Sequence, residues 1–299
     1  MASETLIATS PKPPGPLAAF WTSFSENRGA VIGMCVVIAI VLIAIFAPLL
    51  APYNPLEQFR GFTKLPPFWV EGADPKYWLG TDAVGRDMVS RLMYGARISL
   101  FIGLAVMLVS MLVGVMLGLA SAFYGGILDV VIIRIMDLIM AIPSLVLEIL
   151  IIAITGPSLI NTVIAITIVY LPRYVRLLRA SAIAELSKDY VIAAKVSGVG
   201  KLRLMLVTVL PNCTAPLIVQ AALGISDAIL EASGLGFLGL GAQPPTPEWG
   251  AMLADTRDLM QSHPWVMALP GICILITVMA INLMGDGLRD ALDPRLRKS

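Results

Sequence analysis

Ionisable side chains interrupt the apolar stretches of this 299-residue chain at spacings that place them on one helix face. Arg134, Asp137 and Glu148 fall within about 60° of one another on a helix of 3.6 residues per turn. Charged groups at membrane depth are costly and normally face protein or water rather than lipid. The pattern therefore predicts a hydrated interior surface, whose carboxylates would attract a cation, carry a proton or line a path.

A second polar stripe is predicted further along the chain, where Gln220, Asp227 and Glu231 fall within about 40° on a helix. For Asp137, local neutralisation by Arg134 at i,i+3 explains the pattern as well as a polar path does. Asp227 and Glu231 have no base in their own apolar stretch, which favours a cavity lining over plain solvent exposure at the outer end. The candidate path residues are Asp137, Glu148, Gln220, Asp227 and Glu231.

Other short motifs do not support catalysis or nucleotide binding. The stretch 234–239, GLGFLG, matches a dinucleotide-binding pattern only in its letters, because no strand pattern precedes it. The stretch 198–202, GVGKL, lacks the first glycine and the Ser or Thr of a phosphate-binding loop. One histidine, His263, and three dispersed cysteines give no metal-ligand set. The chain is therefore predicted to be no enzyme and to bind no metal, cofactor or ATP itself.

The composition indicates a membrane protein. Hydrophobic residues make up 58% of the chain and charged residues 14%, whereas soluble domains carry about 25% charged residues. Several stretches reach the roughly 18 apolar residues that indicate a spanning helix. The net charge of +1, without a basic patch interleaved with aromatics, gives no indication of nucleic-acid binding.

We predict an all-α membrane protein with six transmembrane helices. The spans lie at roughly 30–50, 98–123, 130–154, 157–171, 214–230 and 265–284. Pro143 is expected to kink the third span, and Pro172 to end the short fourth one. Small residues recur every four positions in the second span, which indicates packing within the chain or a subunit contact: Ser110, Gly114, Gly118 and Ala122.

Lysine and arginine counts predict that both termini are cytoplasmic, because thirteen basic residues then fall inside and seven outside. Thr81 or Asp82 is expected to cap a helix that begins near Ala83 and leads into the second span. The predicted organisation is a flexible cytoplasmic tail (1–29), a first span (30–51), a periplasmic element (52–97), a five-span core (98–285) with a cytoplasmic loop (173–211) and a periplasmic segment (231–264), and a cytoplasmic tail (286–299).

An ordered polar segment lies between the fourth and fifth spans. Asp189 is suited to cap a helix over 190–196, and Gly198 to terminate it. A second helix is predicted over 199–210, stopped by Pro211. Two explanations remain equally open on these features alone, a docking element for a partner and an ordinary connector between spans.

The residue types of the first predicted helix suit a partner contact. Ala193, Ala194 and Gly198 have almost no side chain, so that a partner could approach closely, and Lys195 suits a cytoplasmic face. The spacing resembles the EAA loop of bacterial ABC-importer permeases, E-A-A-x3-G-x9-I-x-L-P. The matching positions are Ala193, Ala194, Gly198, Leu210 and Pro211.

Two positions of the loop depart from that pattern. Ile192 stands in place of the glutamate, and Thr208 in place of the isoleucine. The peptide branch of the family often lacks the glutamate, so the resemblance holds, but a salt bridge from that position to an ATPase is not available. Three further stretches, at 79–100, 229–253 and 282–297, resemble the same branch. The chain is therefore similar to the C-type permease subunit of dipeptide and oligopeptide ABC importers.

The resemblance implies a type I ABC-importer permease architecture in a bacterial inner membrane. It implies a homologous B-type permease subunit, two cytoplasmic ATPase subunits that carry ATP and Mg, a periplasmic or lipid-anchored binding protein, a peptide substrate and surrounding lipid as partners. The helix at 190–196 would be the coupling helix that docks on an ATPase. The coupling residues implied are Tyr190, Ala193, Ala194, Lys195, Gly198, Leu210 and Pro211.

Two other functions compete with this interpretation. An ion-coupled secondary transporter would use the buried acids as carriers, although no repeat relates the two halves of the chain. A membrane scaffold without transport activity would not need paired polar stripes inside its spans. The exact substrate does not follow from the sequence, because specificity in such importers resides largely in the binding protein.

Overall fold

The computed structural model of the protein describes residues 15–292, which form eleven α-helices. The N-terminal half contains α1 (Pro16–Glu26), α2 (Arg28–Leu50), α3 (Met88–Tyr124), α4 (Gly126–Met140) and α5 (Ser144–Thr155). The second half contains α6 (Leu159–Leu186), α7 (Asp189–Val196), α8 (Lys201–Arg203), α9 (Thr214–Phe237), α10 (Trp249–Asp255) and α11 (Pro264–Leu292). The predicted all-helical class is confirmed.

Fewer helices are long and apolar enough to cross a membrane than the six predicted. The described residues contain four such segments, Arg28–Leu50, Met88–Tyr124, Lys201–Phe237 and Pro264–Leu292. The pair α4 and α5 adds a fifth if the two helices count as one span. The helix α6 is not among them, and its apolar half ends at Leu171, just before Arg173. The predicted count of six is therefore not confirmed.

The predicted third span is broken rather than kinked. Its two halves, α4 and α5, meet at 93°, and Pro143 occupies the position just before α5. Proline has no N–H to donate and clashes with the preceding turn, so it favours a break at this point. Asp137 therefore lies on α4 and Glu148 on α5, and the single polar arc predicted for this span is wrong.

Two prolines that were expected to end helices lie inside helical segments. The helix α6 continues through Pro172 to Leu186, well beyond the predicted end of the fourth span. Pro211 lies in a 3₁₀ turn that joins a π-helix (Leu204–Val209) to α9, so the predicted stop at Pro211 is also wrong. Neighbouring helices can satisfy the backbone groups that a proline frees, which is why long helices in membrane proteins tolerate it.

The long helix α3 occupies the centre of the packing. A Cβ on Gly118 would lie 2.8 Å from the carbonyl oxygen of Val175 on α6, and one on Gly103 would lie 2.8 Å from Ile229 on α9. Only glycine therefore allows these helices to come so close. The small-residue stripe of the second span serves packing within the chain.

The N-terminal region is more ordered than the predicted flexible tail. Residues 16–26 form α1, whose Phe24 is only 2% exposed and packs with Ala30 and Ala291. The rest of the two predicted tails, 1–14 and 293–299, lies outside the described residues.

The segment 51–87 connects α2 to α3 without helix and is bound to α10. Asp87, rather than Thr81 or Asp82, caps α3 by accepting a hydrogen bond from the N–H of Ser90. Asp82 instead accepts from Arg86, whose guanidinium also lies 3.4 Å from Asp255 at the end of α10. These contacts fix the segment to one end of the helical bundle.

Candidate coupling and translocation sites

The short helix α7 lies at the opposite end of the bundle from the 51–87 segment. Its single buried side chain, Val191, is fully shielded and packs among Leu178, Leu204 and other members of one hydrophobic cluster. Most of the remaining residues of α7 face outward. The helix α7 therefore packs on the bundle along one edge, and its opposite face is exposed.

The residues predicted for coupling follow this division. Tyr190, Ala193, Lys195 and Gly198 are exposed, and Ala194 is half-buried against the cluster that holds Val191. Gly198 adopts φ +80°, the left-handed conformation that ends a helix, as the sequence predicts. Leu210 is half-buried and Pro211 is exposed, and both lie in the 3₁₀ turn that precedes α9.

Apolar side chains complete the exposed surface of this region. Ile192 is 48% exposed, Val196 84% and Leu202 67%. Ile192 is the residue found where the loop pattern has glutamate. An exposed apolar patch framed by Lys195 and Lys201 is typical of a surface that another protein covers.

Three arginines on α6 pair with three acids on neighbouring helices. Arg173 lies 2.8 Å from Asp227 on α9, Arg176 pairs with Asp137 on α4, and Arg179 forms a bidentate pair with Asp129 on α4 at 2.6 and 2.7 Å. The spacing of three residues keeps the arginines near one side of the helix. The helix α6 is thereby bound to both α4 and α9.

These pairs correct two expectations about the acids. Asp137 is neutralised by Arg176, a residue of another helix, and not by Arg134. Asp227, for which no base was expected, has Arg173. The Arg173–Asp227 side chains are 46% and 42% exposed, so the pair lies at the surface of the chain rather than in its core.

A second acidic group lies beside that pair. Glu148 on α5 is completely shielded, and neither of its carboxylate oxygens has a hydrogen-bond partner among the described residues. Glu148 lies one helical turn after Ser144 on α5. Glu231 accepts a hydrogen bond of 3.3 Å from the hydroxyl group of Ser144, at the start of α5. The break between α4 and α5 therefore brings Glu148 to the polar stripe of α9.

Gln220 occupies a different setting from the acids. Its backbone carbonyl accepts a hydrogen bond of 3.4 Å from the hydroxyl group of Tyr174 on α6, which also packs over Gly224. This part of the α9 stripe is covered by α6. The structure therefore brings the start of α5, which carries Glu148, to Glu231 on α9, and places Asp227 one turn before Glu231 at Arg173. Gln220 lies at Tyr174, and Asp137 lies on α4 at Arg176.

Comparison with known proteins identifies the class to which these features belong. Residues 110–298 match the family described as the binding-protein-dependent transport system inner membrane component. The chain belongs to this family. Residues 15–67 of the permease also match the N-terminal transmembrane domain of oligopeptide transport permease C, which accounts for α1 and α2. All of the candidate coupling and path residues fall within 110–298.

Curated relatives match the permease over nearly its whole length. The di/tripeptide transport system permease protein DppC of Pseudomonas aeruginosa is 57% identical over 96% of this chain and 94% of its own. The dipeptide transport system permease proteins DppC of Haemophilus influenzae and Escherichia coli are 52% and 53% identical over 99% of this chain. The family consists of membrane transport components, so the expectation that the chain is not an enzyme is confirmed.

A solved structure supports the fold. A chain of the MetNI methionine ABC transporter, described in inward-facing conformations, matches with a TM-score of 0.57 at 17% identity and covers 69% of the permease and 98% of that chain. The chain therefore has the fold of a type I ABC permease. Its family and its long apolar helices make it a multi-pass inner-membrane protein.

The sequence alone did not identify the arginines of α6 as part of the site. Arg173, Arg176 and Arg179 were counted as cytoplasmic charges after a span ending at Pro172. Their spacing of three residues was a signal that they share one helix with the span before them. Only the packing of α6 against α4 and α9 reveals which acids they meet.

Proposed function

We propose that this permease is the transmembrane subunit of an ATP-driven importer of dipeptides or short peptides. The observation that supports this substrate class most strongly is the 57% identity, over almost the entire chain, to a protein named for di- and tripeptide transport. Half of the translocation path would be formed by this chain, and a homologous B-type permease subunit would supply the other half.

The energy would come from two cytoplasmic ATPase subunits that hold ATP and Mg. The helix α7 is suited to dock on one of them, because its exposed surface combines small residues with apolar side chains. Tyr190, Ala193, Ala194, Lys195 and Gly198 would contact or shape this interface. Leu210 and Pro211 would join it to α9. No glutamate is present at the position of Ile192, so docking there would rely on shape and apolar contact.

A coupling role for α7 implies one orientation in the membrane. The end of the bundle that carries α7 would be cytoplasmic, together with both chain termini. The 51–87 segment and the residues from 238 to 263 would then face the periplasm. A periplasmic or lipid-anchored peptide-binding protein would deliver the substrate to that side.

The acids would line the translocation path. A peptide carries an ammonium group at one end and a carboxylate at the other, and both charges need partners when water is removed. Among the described residues, Glu148 and Glu231 have no ion pair with a base, and the half-exposed Arg173–Asp227 pair offers both a positive and a negative charge. Asp137 and Gln220 would lie along the same path, nearer its cytoplasmic end.

Peptide uptake by whole cells tests the proposed substrate class. Deletion of this permease from an amino-acid auxotroph should abolish growth on the dipeptide that contains the required amino acid, while growth on the free amino acid continues. A plasmid copy should restore growth. Unchanged dipeptide uptake in the deletion strain, in the absence of another peptide importer, would refute the proposal.

A further inference from the structure

The joint between α6 and α7 consists of only two residues, Ser187 and Lys188. A side-chain contact crosses this joint. Glu185, on the last turn of α6, accepts a hydrogen bond from the hydroxyl group of Tyr190 on α7. The same carboxylate accepts a second bond, of 2.6 Å, from the ammonium group of Lys188.

The carboxylate of this contact is mostly buried, and the tyrosine that donates to it stays protonated. The side chain of Glu185 is 12% exposed, whereas that of Lys188 is 54% exposed, so the carboxylate lies on the inner side of the joint. Burial, and then the hydrogen bond to Glu185, raise the pKa of Tyr190 to about 12. The tyrosine hydroxyl therefore keeps its proton at any physiological pH and remains a hydrogen-bond donor to Glu185. Hydrogen bonds to a charged acceptor are stronger than those between neutral groups.

The rest of α7 has few other connections to the bundle. Val191 is its only buried residue, and Ala194, three positions later, is half-buried against the same cluster, so α7 packs on the bundle along one edge. The bond from Tyr190 to Glu185 adds an attachment outside that edge. It leads directly into α6, whose arginines bind α4 and α9.

We propose that Glu185 is a positioning residue that locks α7 to α6, so that a movement imposed on α7 reaches the spanning helices rather than being absorbed at the joint. This inference rests on the proposed coupling role of α7. Glu185 does not substitute for the glutamate that Ile192 replaces, because its carboxylate is turned inward and already has two donors within the chain.

The complete transporter, reconstituted in proteoliposomes with its partner subunits and binding protein, provides the test. We expect Glu185→Ala to leave the yield of assembled complex and the basal ATP hydrolysis near those of the unmodified protein. The number of peptides imported per ATP hydrolysed should fall severalfold in Glu185→Ala and in Tyr190→Phe. Glu185→Gln, which keeps an acceptor for Tyr190, should lose less. Asp189→Asn is the matched control, since it removes a neighbouring charge that has no side-chain partner among the described residues.

The double variant distinguishes a shared contact from two separate effects. Because both side chains act through one bond, Glu185→Ala combined with Tyr190→Phe should be no worse than Glu185→Ala alone. Unchanged peptide-to-ATP ratios in both single variants, or effects that multiply in the double variant, would overturn the inference. If the complex with Glu185→Ala does not assemble, Tyr190→Phe still tests the contact, because it removes only the hydroxyl group that donates to Glu185. Absence of ATP-dependent uptake by the unmodified complex would instead count against the proposed function.

Discussion

The guanidinium group of Arg173 on α6 lies 2.8 Å from the carboxylate of Asp227 on α9. The first of these helices leads into α7, and the second follows it in the chain. Arg173 also lies over the ring of Tyr170, 4.5 Å from its centroid. The pair therefore links the two long helices that flank the proposed coupling helix, and Glu231 lies one turn further along α9.

Disruption of this pair should affect transport more than stability. Both side chains are nearly half exposed, and exposed ion pairs contribute only about 0–1 kcal/mol. We expect Arg173→Ala or Asp227→Ala to lower peptide uptake strongly, with a small change in the thermal unfolding midpoint. The charge-swapped double variant should recover part of the uptake. Arg134→Ala, on α4 and without an ion pair among the described residues, serves as control. Normal uptake by both single variants would show that transport does not require the pair.

Substitution of Gly198 should uncouple the ATPases from the permease. The residue has φ +80°, so Gly198→Asp strains the turn that ends α7 and adds a charge to the proposed docking surface. We expect membrane insertion to persist while uptake and substrate-stimulated ATP hydrolysis disappear. Gly200→Asp is the matched control, because Gly200 has φ −62° and open space around it. Equal loss in the two variants would indicate that charge rather than the turn matters.

The glycine contacts of α3 should control stability. A Cβ at Gly118 would lie 2.8 Å from a backbone oxygen of α6, which cannot move independently of its helix. Gly118→Ala should therefore destabilise the permease by about 1–3 kcal/mol, the usual cost of overpacking. Thermal unfolding of the purified complex in detergent measures this. Gly234→Ala on α9, where nothing lies within 4 Å of the added carbon, should be neutral; equal effects would contradict the packing account.

Glu248 should make stability depend on pH. It caps α10 by accepting hydrogen bonds of 2.8 Å from the N–H groups of Gly250 and Ala251, and it is 1% exposed. Burial raises the pKa of Glu248 above its ordinary value, more than these hydrogen bonds lower it. The folded protein therefore holds this proton at pH values where the unfolded chain has lost it. Stability should fall as pH rises from about 4.5 through the folded-state pKa.

The variant Glu248→Gln isolates this effect. It cannot ionise, so its stability should vary less over the same pH range, although the weaker cap lowers stability at acidic pH. Thermal midpoints of both proteins, measured from about pH 4 to pH 8, provide the comparison. Parallel pH profiles for the two proteins would show that Glu248 does not contribute.

Local sequence signals predicted several elements closely. The apolar run at 30–50 corresponds to α2, and Gly198 lies just past the end of α7 as expected. The predicted cap at Asp189 is wrong, because Asp189 is the first residue of α7 and Lys188 is the N-cap residue, without a side-chain hydrogen bond. Periodicity and helix-termination rules predict these elements because the elements depend only on neighbouring residues. The loop pattern and the three accompanying stretches also led to the correct family.

Features that depend on tertiary contacts could not be predicted. Proline at 143 breaks a helix while Pro172 does not, because the surrounding helices decide whether the freed backbone groups are satisfied. The partners of Asp137 and Asp227 lie 39 and 54 residues away in the chain, at Arg176 and Arg173. Helical-wheel arguments compare residues on one helix and cannot detect such pairs.

Measurement of the energy source for uptake distinguishes an ATP-driven importer from an ion-coupled transporter. Proteoliposomes that contain this permease, a B-type partner, the two ATPases and the binding protein should accumulate a labelled dipeptide only when ATP is present inside with Mg. Vanadate should abolish accumulation, and an imposed proton gradient without ATP should produce none. Accumulation that follows the proton gradient and ignores vanadate would contradict the account and identify an ion-coupled transporter.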